Sequence, residues 1–180
     1  MKNSIFIGVF LLSLMGCTTE KTIQGSNLSL KQVEAVKIGS EKSNVISFLG
    51  NSYKDSPPLN EKDHEGWLYY NADENHWQRA AILFDSRSQL VISKIFIPLE
   101  GESEYSLDFL LQKKFSGLKF EYARLQRCNR DFVPSEAYYI NVANGVVIKI
   151  QTVRKNVESI VWMSSEDAAR RLEQIKFCQI

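Results

Sequence analysis

The chain has 180 residues and only two histidines, and both lie among acids. Asp63-His64-Glu65 precedes the apolar run Trp67–Tyr70, and Asp73, Glu74 and His76 follow it. Loops meeting at one end of a hairpin would bring two imidazoles together with several carboxylates, a donor set that suits a divalent cation. His64 and His76 are therefore the candidate metal ligands, and a metal-dependent hydrolase is the enzymatic reading of this chain. Their spacing matches no fixed ligand motif, so a pair of solvated, charged loops is the expected state. No G-x-S-x-G, Walker loop, G-x-G-x-x-G or H-E-x-x-H occurs. The expectation is a non-catalytic protein without catalytic residues, metal or cofactor. Its remaining chemistry is aromatic. Trp67, Tyr69, Tyr70 and Trp77 fall close together, as do Tyr138 and Tyr139. Neighbours on a strand face opposite ways, so one of each tyrosine pair points outward as an interface anchor unless helices or adjoining chain cover it. The series Lys113, Lys114, Lys119, Arg124, Arg127 and Arg130 alternates with acids and reads as ordinary surface.

Cys17 offers a more specific reaction. Lys2 supplies a basic start, Ile5 to Met15 is an apolar run of eleven residues, and small Gly16 precedes the thiol. As a helix the run would span about 16 Å, too short for a hydrocarbon core of about 30 Å, so it reads as a secretory h-region. Leu14-Met15-Gly16-Cys17 resembles the lipobox of bacterial lipoproteins. The resemblance implies a signal peptide over residues 1–16 and a mature chain beginning at Cys17, whose thiol carries a diacylglyceryl group with palmitate-class chains. Two or more acyl chains anchor stably. Thr18 is not the Asp that retains a lipoprotein at the inner membrane, so the expected location is the periplasmic face of the outer membrane. Residues 17–28 are then the lipidated tether. With Cys17 acylated, Cys128 and Cys178 remain as one pair in an oxidising compartment, which invites a disulfide. Closing that loop of 51 residues would contribute about 4 kcal/mol, and two buried free thiols are the alternative.

The elements that must position these residues follow from an ordinary composition, 44% hydrophobic and 24% charged, which excludes disorder, coiled coil and a polytopic membrane protein. A formal charge of +1 provides no excess of cations for nucleic acid. Ser29-Leu30-Lys31-Gln32 fits a capping box, with Leu30, Val33 and Val36 at helical spacing. Ser40 is expected to cap a second helix that carries Val45, Ile46, Phe48 and Leu49 on one face and stops at Gly50. Strands are predicted at Trp67–Tyr70, Gln78–Phe84 and Leu90–Ile97, the last two joined through Asp85–Ser88. Leu107, Leu110, Leu111 and Phe115 form a helical stripe ending at Gly117, and a strand starts at Leu118. Asn144-Gly145 links strands at Ala137–Val142 and Val146–Val153, a strong hairpin signal. A strand at Val157–Met163 and a Ser164-capped helix through Ala168, Leu172 and Ile175 complete the chain. The fold class is α+β, read as two loosely repeated helix-then-antiparallel-sheet units, residues 29–100 and 101–180, with the helices packed on one sheet face.

Gly39-Ser40, Val45, Leu49-Gly50, Trp67 with Tyr69, and Phe84-Asp85 occur in that order. The pattern resembles the SmpA/OmlA (BamE-like) family of small outer-membrane lipoproteins, which shares a fold with β-lactamase-inhibitor-like proteins. The resemblance covers Ile38 to about Pro98. In place of the proline that the family carries after Leu-Gly, this chain has Asn51-Ser52, with prolines at 57 and 58. The resemblance implies a non-catalytic docking module, held at the membrane by lipid, that contacts envelope proteins during envelope or β-barrel assembly. An inhibitor-like module that captures a periplasmic or extracellular enzyme is the rival binding reading.

Overall fold

A computed structural model describes residues 28–56, 63–70, 78–99, 102–124, 136–152, 154 and 156–177. The N-terminal capping box forms as expected. The Ser29 hydroxyl accepts from the Gln32 N–H, the Gln32 side chain accepts from the Ser29 N–H, and helix α1 runs Leu30–Ala35. Helix α2 spans Lys42–Leu49, with Glu41 rather than Ser40 at its N-cap and no side-chain cap bond. The reason lies in the backbone. Gly39 N–H donates to Val91 O and Ser40 O accepts from Val91 N–H, so residues 39–40 are held beside the sheet and the Ser40 hydroxyl turns back to Lys37 O. Val45 and Leu49 are buried, but Ile46 and Phe48 are 39% and 44% exposed. At 100° per residue these two lie on either side of the 45–49 line, so the four do not share a face.

Eight strands follow: β1 Tyr53–Ser56, β2 His64–Tyr70, β3 Gln78–Asp85, β4 Val91–Phe96, β5 Glu121–Arg124, β6 Glu136–Asn141, β7 Val146–Gln151 and β8 Asn156–Met163. They form one antiparallel sheet in the order β1-β2-β3-β4-β8-β7-β6-β5. Two four-strand meanders thus meet along β4 and β8, where Ser93, Lys94, Ile95 and Phe96 pair with Met163, Trp162, Val161 and Ile160. The edge strand β1 was not expected, because of its residues Tyr-Lys-Asp-Ser only Tyr53 favours a strand, and the segment is extended by pairing with β2. Between the meanders come a 3-10 turn at Ser103–Tyr105, a short helix α3 at Leu107–Phe109 and a π-helical segment at Leu110–Lys114. The Phe115 N–H reaches Leu110 O, five residues back, and this wide turn keeps both Leu110 and Phe115 buried. Helix α4 spans Ser165–Phe177.

Register assigns every strand residue to a face, since paired residues point the same way. One row crosses all eight strands as Tyr53, Tyr69, Ala80, Phe96, Ile160, Ile148, Tyr139 and Tyr122. This front face joins α1, α2 and the Leu110–Phe115 segment in a single core spanning both meanders. The adjacent row, on the back, reads Lys54, Leu68, Ala81, Ile95, Val161, Val147, Ile140 and Glu121. Helix α4 lies there. Its Ala168, Leu172 and Ile175 form a second cluster with Ala123, Tyr138, Ile140 and Val147. The helices therefore do not share one sheet face. The β6–β7 segment is apolar at consecutive positions, so both faces of that end of the sheet require cover.

Candidate functional site

Cys17, Cys128, Cys178 and His76 lie outside the described residues. His64 opens β2 opposite Asp85 and is half-buried. The alternation of β2 turns His64 to the back and Glu65 to the front, so these two neighbours do not converge on one ion. Glu65 instead accepts from Lys42 Nζ at 2.6 and 2.7 Å and from Trp67 Nε1 at 3.0 Å. The Lys42 ammonium is the main cause holding its carboxyl below the usual range. Asp63 faces Arg87 at 3.9 Å on the surface. Among the described residues no group of three or more His, Cys, Asp or Glu side chains is placed to hold a metal ion.

The predicted aromatics are largely covered. Trp67 stacks on Tyr53 at 3.9 Å and meets Phe84 edge-on, within the front core. Tyr69 is buried on the front, whereas Tyr70 faces back with the Lys54 ammonium 4.8 Å from its ring. Tyr138 lies under α4 with Arg171 over its ring, and Tyr139 is half-buried beside exposed Tyr122. In the basic series, Lys114 pairs with Glu34 at 2.5 Å and Lys113 and Lys119 are exposed.

Two buried cations escaped the sequence reading, although each interrupts an apolar strand. Arg79, 2% exposed, stands at the bulge of β3 opposite Tyr69 and Tyr70, which turns it to the front. It grips Glu102 at 2.9 and 3.1 Å and donates to the Ile97 and Leu28 carbonyls. Its Nε is buried without a partner. Lys94, 4% exposed, gives its ammonium to the carbonyls of Val33, Glu34 and Val36 and lies 4.9 Å from the Trp162 ring. These carbonyls close the C-terminal end of α1, where a cation satisfies orphan acceptors and opposes the helix dipole. Desolvation pulls the Lys94 ammonium down to about 8, partly offset by Glu34. Both cations clamp residues 28–36, the first described residues after the expected tether, onto the sheet. Beside the Arg79 clamp lies a cavity of about 300 Å³ lined by Leu99, Glu102, Ser103, Tyr105, Gln151 and Asn156 among others.

The back of β2, β3 and β4 carries apolar residues that α4 does not cover among the described residues. Leu68, Leu83 and Ile95 are half-buried there and join neither buried cluster, while Ala81 is buried. Gly66, opposite Leu83, keeps the middle of the face low. No family model, curated protein or solved structure matches the chain.

Proposed function

We propose that the chain is a lipoprotein of the bacterial outer membrane, held on the periplasmic face through acylated Cys17, that serves as a non-catalytic protein-binding module in envelope or β-barrel assembly. The observation that carries this reading is the lipobox-like Leu14-Met15-Gly16-Cys17 ahead of a sheet whose back is apolar and, among the described residues, covered by α4 over only one meander. The anchor confines the domain to a membrane surface, and the apolar face supplies a place for another protein to bury. The SmpA/OmlA-like motif supports the same reading. Its residues act structurally here: Gly39 and Gly50 adopt positive φ, while Trp67, Tyr69 and Phe84 belong to the front core. The order of helices then four strands in each half supports reading the chain as two loosely repeated units. The half-covered face equally suits an inhibitor-like module that engages a periplasmic enzyme. A mild-detergent pull-down of the full-length lipoprotein from its native envelope, beside a Cys17→Ala control, separates the readings. Stoichiometric recovery of barrel-assembly proteins, lost in the control, is expected; recovery of a soluble enzyme points to the inhibitor reading. Absence of any co-purifying envelope protein sinks the assembly role.

A further inference from the structure

We propose that Asn144 is a site of spontaneous conversion to isoaspartate that the folded turn holds shut through Asn141, and that the modified turn cannot reclose. The inference is independent of the docking reading above. It starts from the sequence. Of the nine glycines, only Gly145 follows an asparagine. The asparagine amide is thermally labile, and a following glycine, lacking Cβ, leaves its own peptide nitrogen open to the side-chain carbonyl carbon. The reaction needs only water. The Gly145 nitrogen loses its proton and bonds to Asn144 Cγ, while the Cγ–Nδ2 bond breaks and the nitrogen leaves as ammonia. Water then opens the cyclic imide. Opening at one carbonyl gives aspartate. Opening at the other gives isoaspartate, in which the main chain runs through the former side chain and gains a methylene.

The folded turn restrains both reacting groups. Asn144 is exposed, so water reaches it. Its Nδ2 donates to Asn141 Oδ1 at 2.9 Å, and its backbone N–H donates to the same oxygen at 2.8 Å. The carboxamide is thus tied back to residue 141. The nucleophile is tied as well, since the Gly145 N–H donates to Val142 O at 3.2 Å and Gly145 is buried. Asn141 is itself fixed, 5% exposed, with its Nδ2 donating to Lys119 O at 2.7 Å. Cyclisation therefore requires the turn to open, and its rate follows the open fraction. Each hydrogen bond that must break lowers that fraction by roughly fivefold.

Reclosure fails for a steric reason. Gly145 sits at φ +62°, its carbonyl accepts from the Met163 N–H at 2.9 Å, and a Cβ added there would run into the Met163 carbonyl. This packing leaves no room for a backbone methylene inserted between residues 144 and 145. The extra link also displaces Val146 from its pairing with Trp162, where β7 begins on β8. Aspartate at 144 adds no link, and its exposed side chain can turn to solvent. Only the isoaspartate product breaks the turn.

The test ages the full-length protein at mildly alkaline pH, folded and in guanidinium chloride, and digests each sample in acid. Mass spectrometry of the Asn144 peptide counts amide turned to acid, and enzymatic methylation identifies the isoaspartate fraction. Conversion in guanidinium is expected, and the folded protein should convert at least about twentyfold more slowly because two or more bonds must break. Asn141→Ala should speed conversion of the folded protein by about fivefold or more, whereas Asn141→Asp, which keeps the acceptor, should stay within about twofold of the parent. Leu30→Ala, a core loss remote from the turn, should leave the rate at the parent's. After refolding, the isoaspartate fraction should show a lower unfolding midpoint than Asn144→Asp. No conversion in guanidinium overturns the site, and equal rates in the folded and denatured protein overturn its protection. An Asn141→Ala rate no faster than the parent's, or matched by Leu30→Ala, overturns the role of Asn141. An isoaspartate product as stable as Asn144→Asp overturns the block on reclosure.

Discussion

Glu102→Ala tests whether the Arg79 clamp holds the N-terminal segment to the sheet. The substitution removes the countercharge of a guanidinium that is 2% exposed, and it also takes the acceptor from the Leu99 N–H. Arg79 would keep only the Ile97 and Leu28 carbonyls. Removing one partner of a fully buried pair costs about 3–5 kcal/mol. The Glu102 side chain is 29% exposed, so water screens part of the interaction and the expected loss falls to about 2–3 kcal/mol. Arg79→Met should cost less, about 1–2 kcal/mol, because the freed carboxylate can hydrate where it stands. The double variant should recover at least about 1.5 kcal/mol relative to the sum of the singles. Urea unfolding of the four proteins measures the cycle. Hydrogen exchange locates it, with faster exchange expected in residues 28–36 before the rest of the sheet responds. A loss below about 0.5 kcal/mol for Glu102→Ala, or additive singles, would refute the reasoning and make the pair incidental.

The remaining predictions concern pH and one turn. Lys94 titrates at about 8 in the folded protein, below its ordinary 10.5, so the unfolded chain binds its proton more tightly and stability should rise between pH 8 and 10. Tyr105 moves the other way, up to about 12, and buried Tyr69 rises further, so stability should fall above pH 10 as the unfolded tyrosines ionise. Unfolding midpoints at pH 7.5, 9.5 and 11 should therefore peak in the middle, and Lys94→Met should abolish the rise but keep the fall; a monotonic parent profile contradicts this. Gly145 has φ +62°, and a Cβ there would run into the Met163 carbonyl, whose own N–H donates to Gly145 O at 2.9 Å. Gly145→Ala should cost more than about 2 kcal/mol by chemical denaturation, and a loss within about 0.5 kcal/mol would show that the β6–β7 turn is not pinned to the end of β8.

Local signals carried much of the architecture. The Ser29–Gln32 capping box, the Asn144-Gly145 turn and the apolar stripe of α4 depend on residues within one or two turns of each other, and all three form where the sequence puts them. The expected faces of α2 were wrong because four apolar residues in five cannot lie on one side of a helix, and only contact with the sheet selects Val45 and Leu49. The alternation of β2 parts His64 from Glu65 whatever the loops do, and His76 lies outside the described residues.

Composition and short-range periodicity determined by themselves that this is an α+β chain. These features are written within short stretches of sequence. The tertiary structure decided the rest. Pairing β4 with β8 turns two meanders into one sheet, and that register sets which residues line up from edge to edge. It buries Arg79 and Lys94 as clamps on residues 28–36, and it sends α4 to the face opposite the other helices. A strand does not encode its neighbour across a sheet. That choice depends on burying both faces at once, so the half-covered back face becomes visible only when all eight strands are in place.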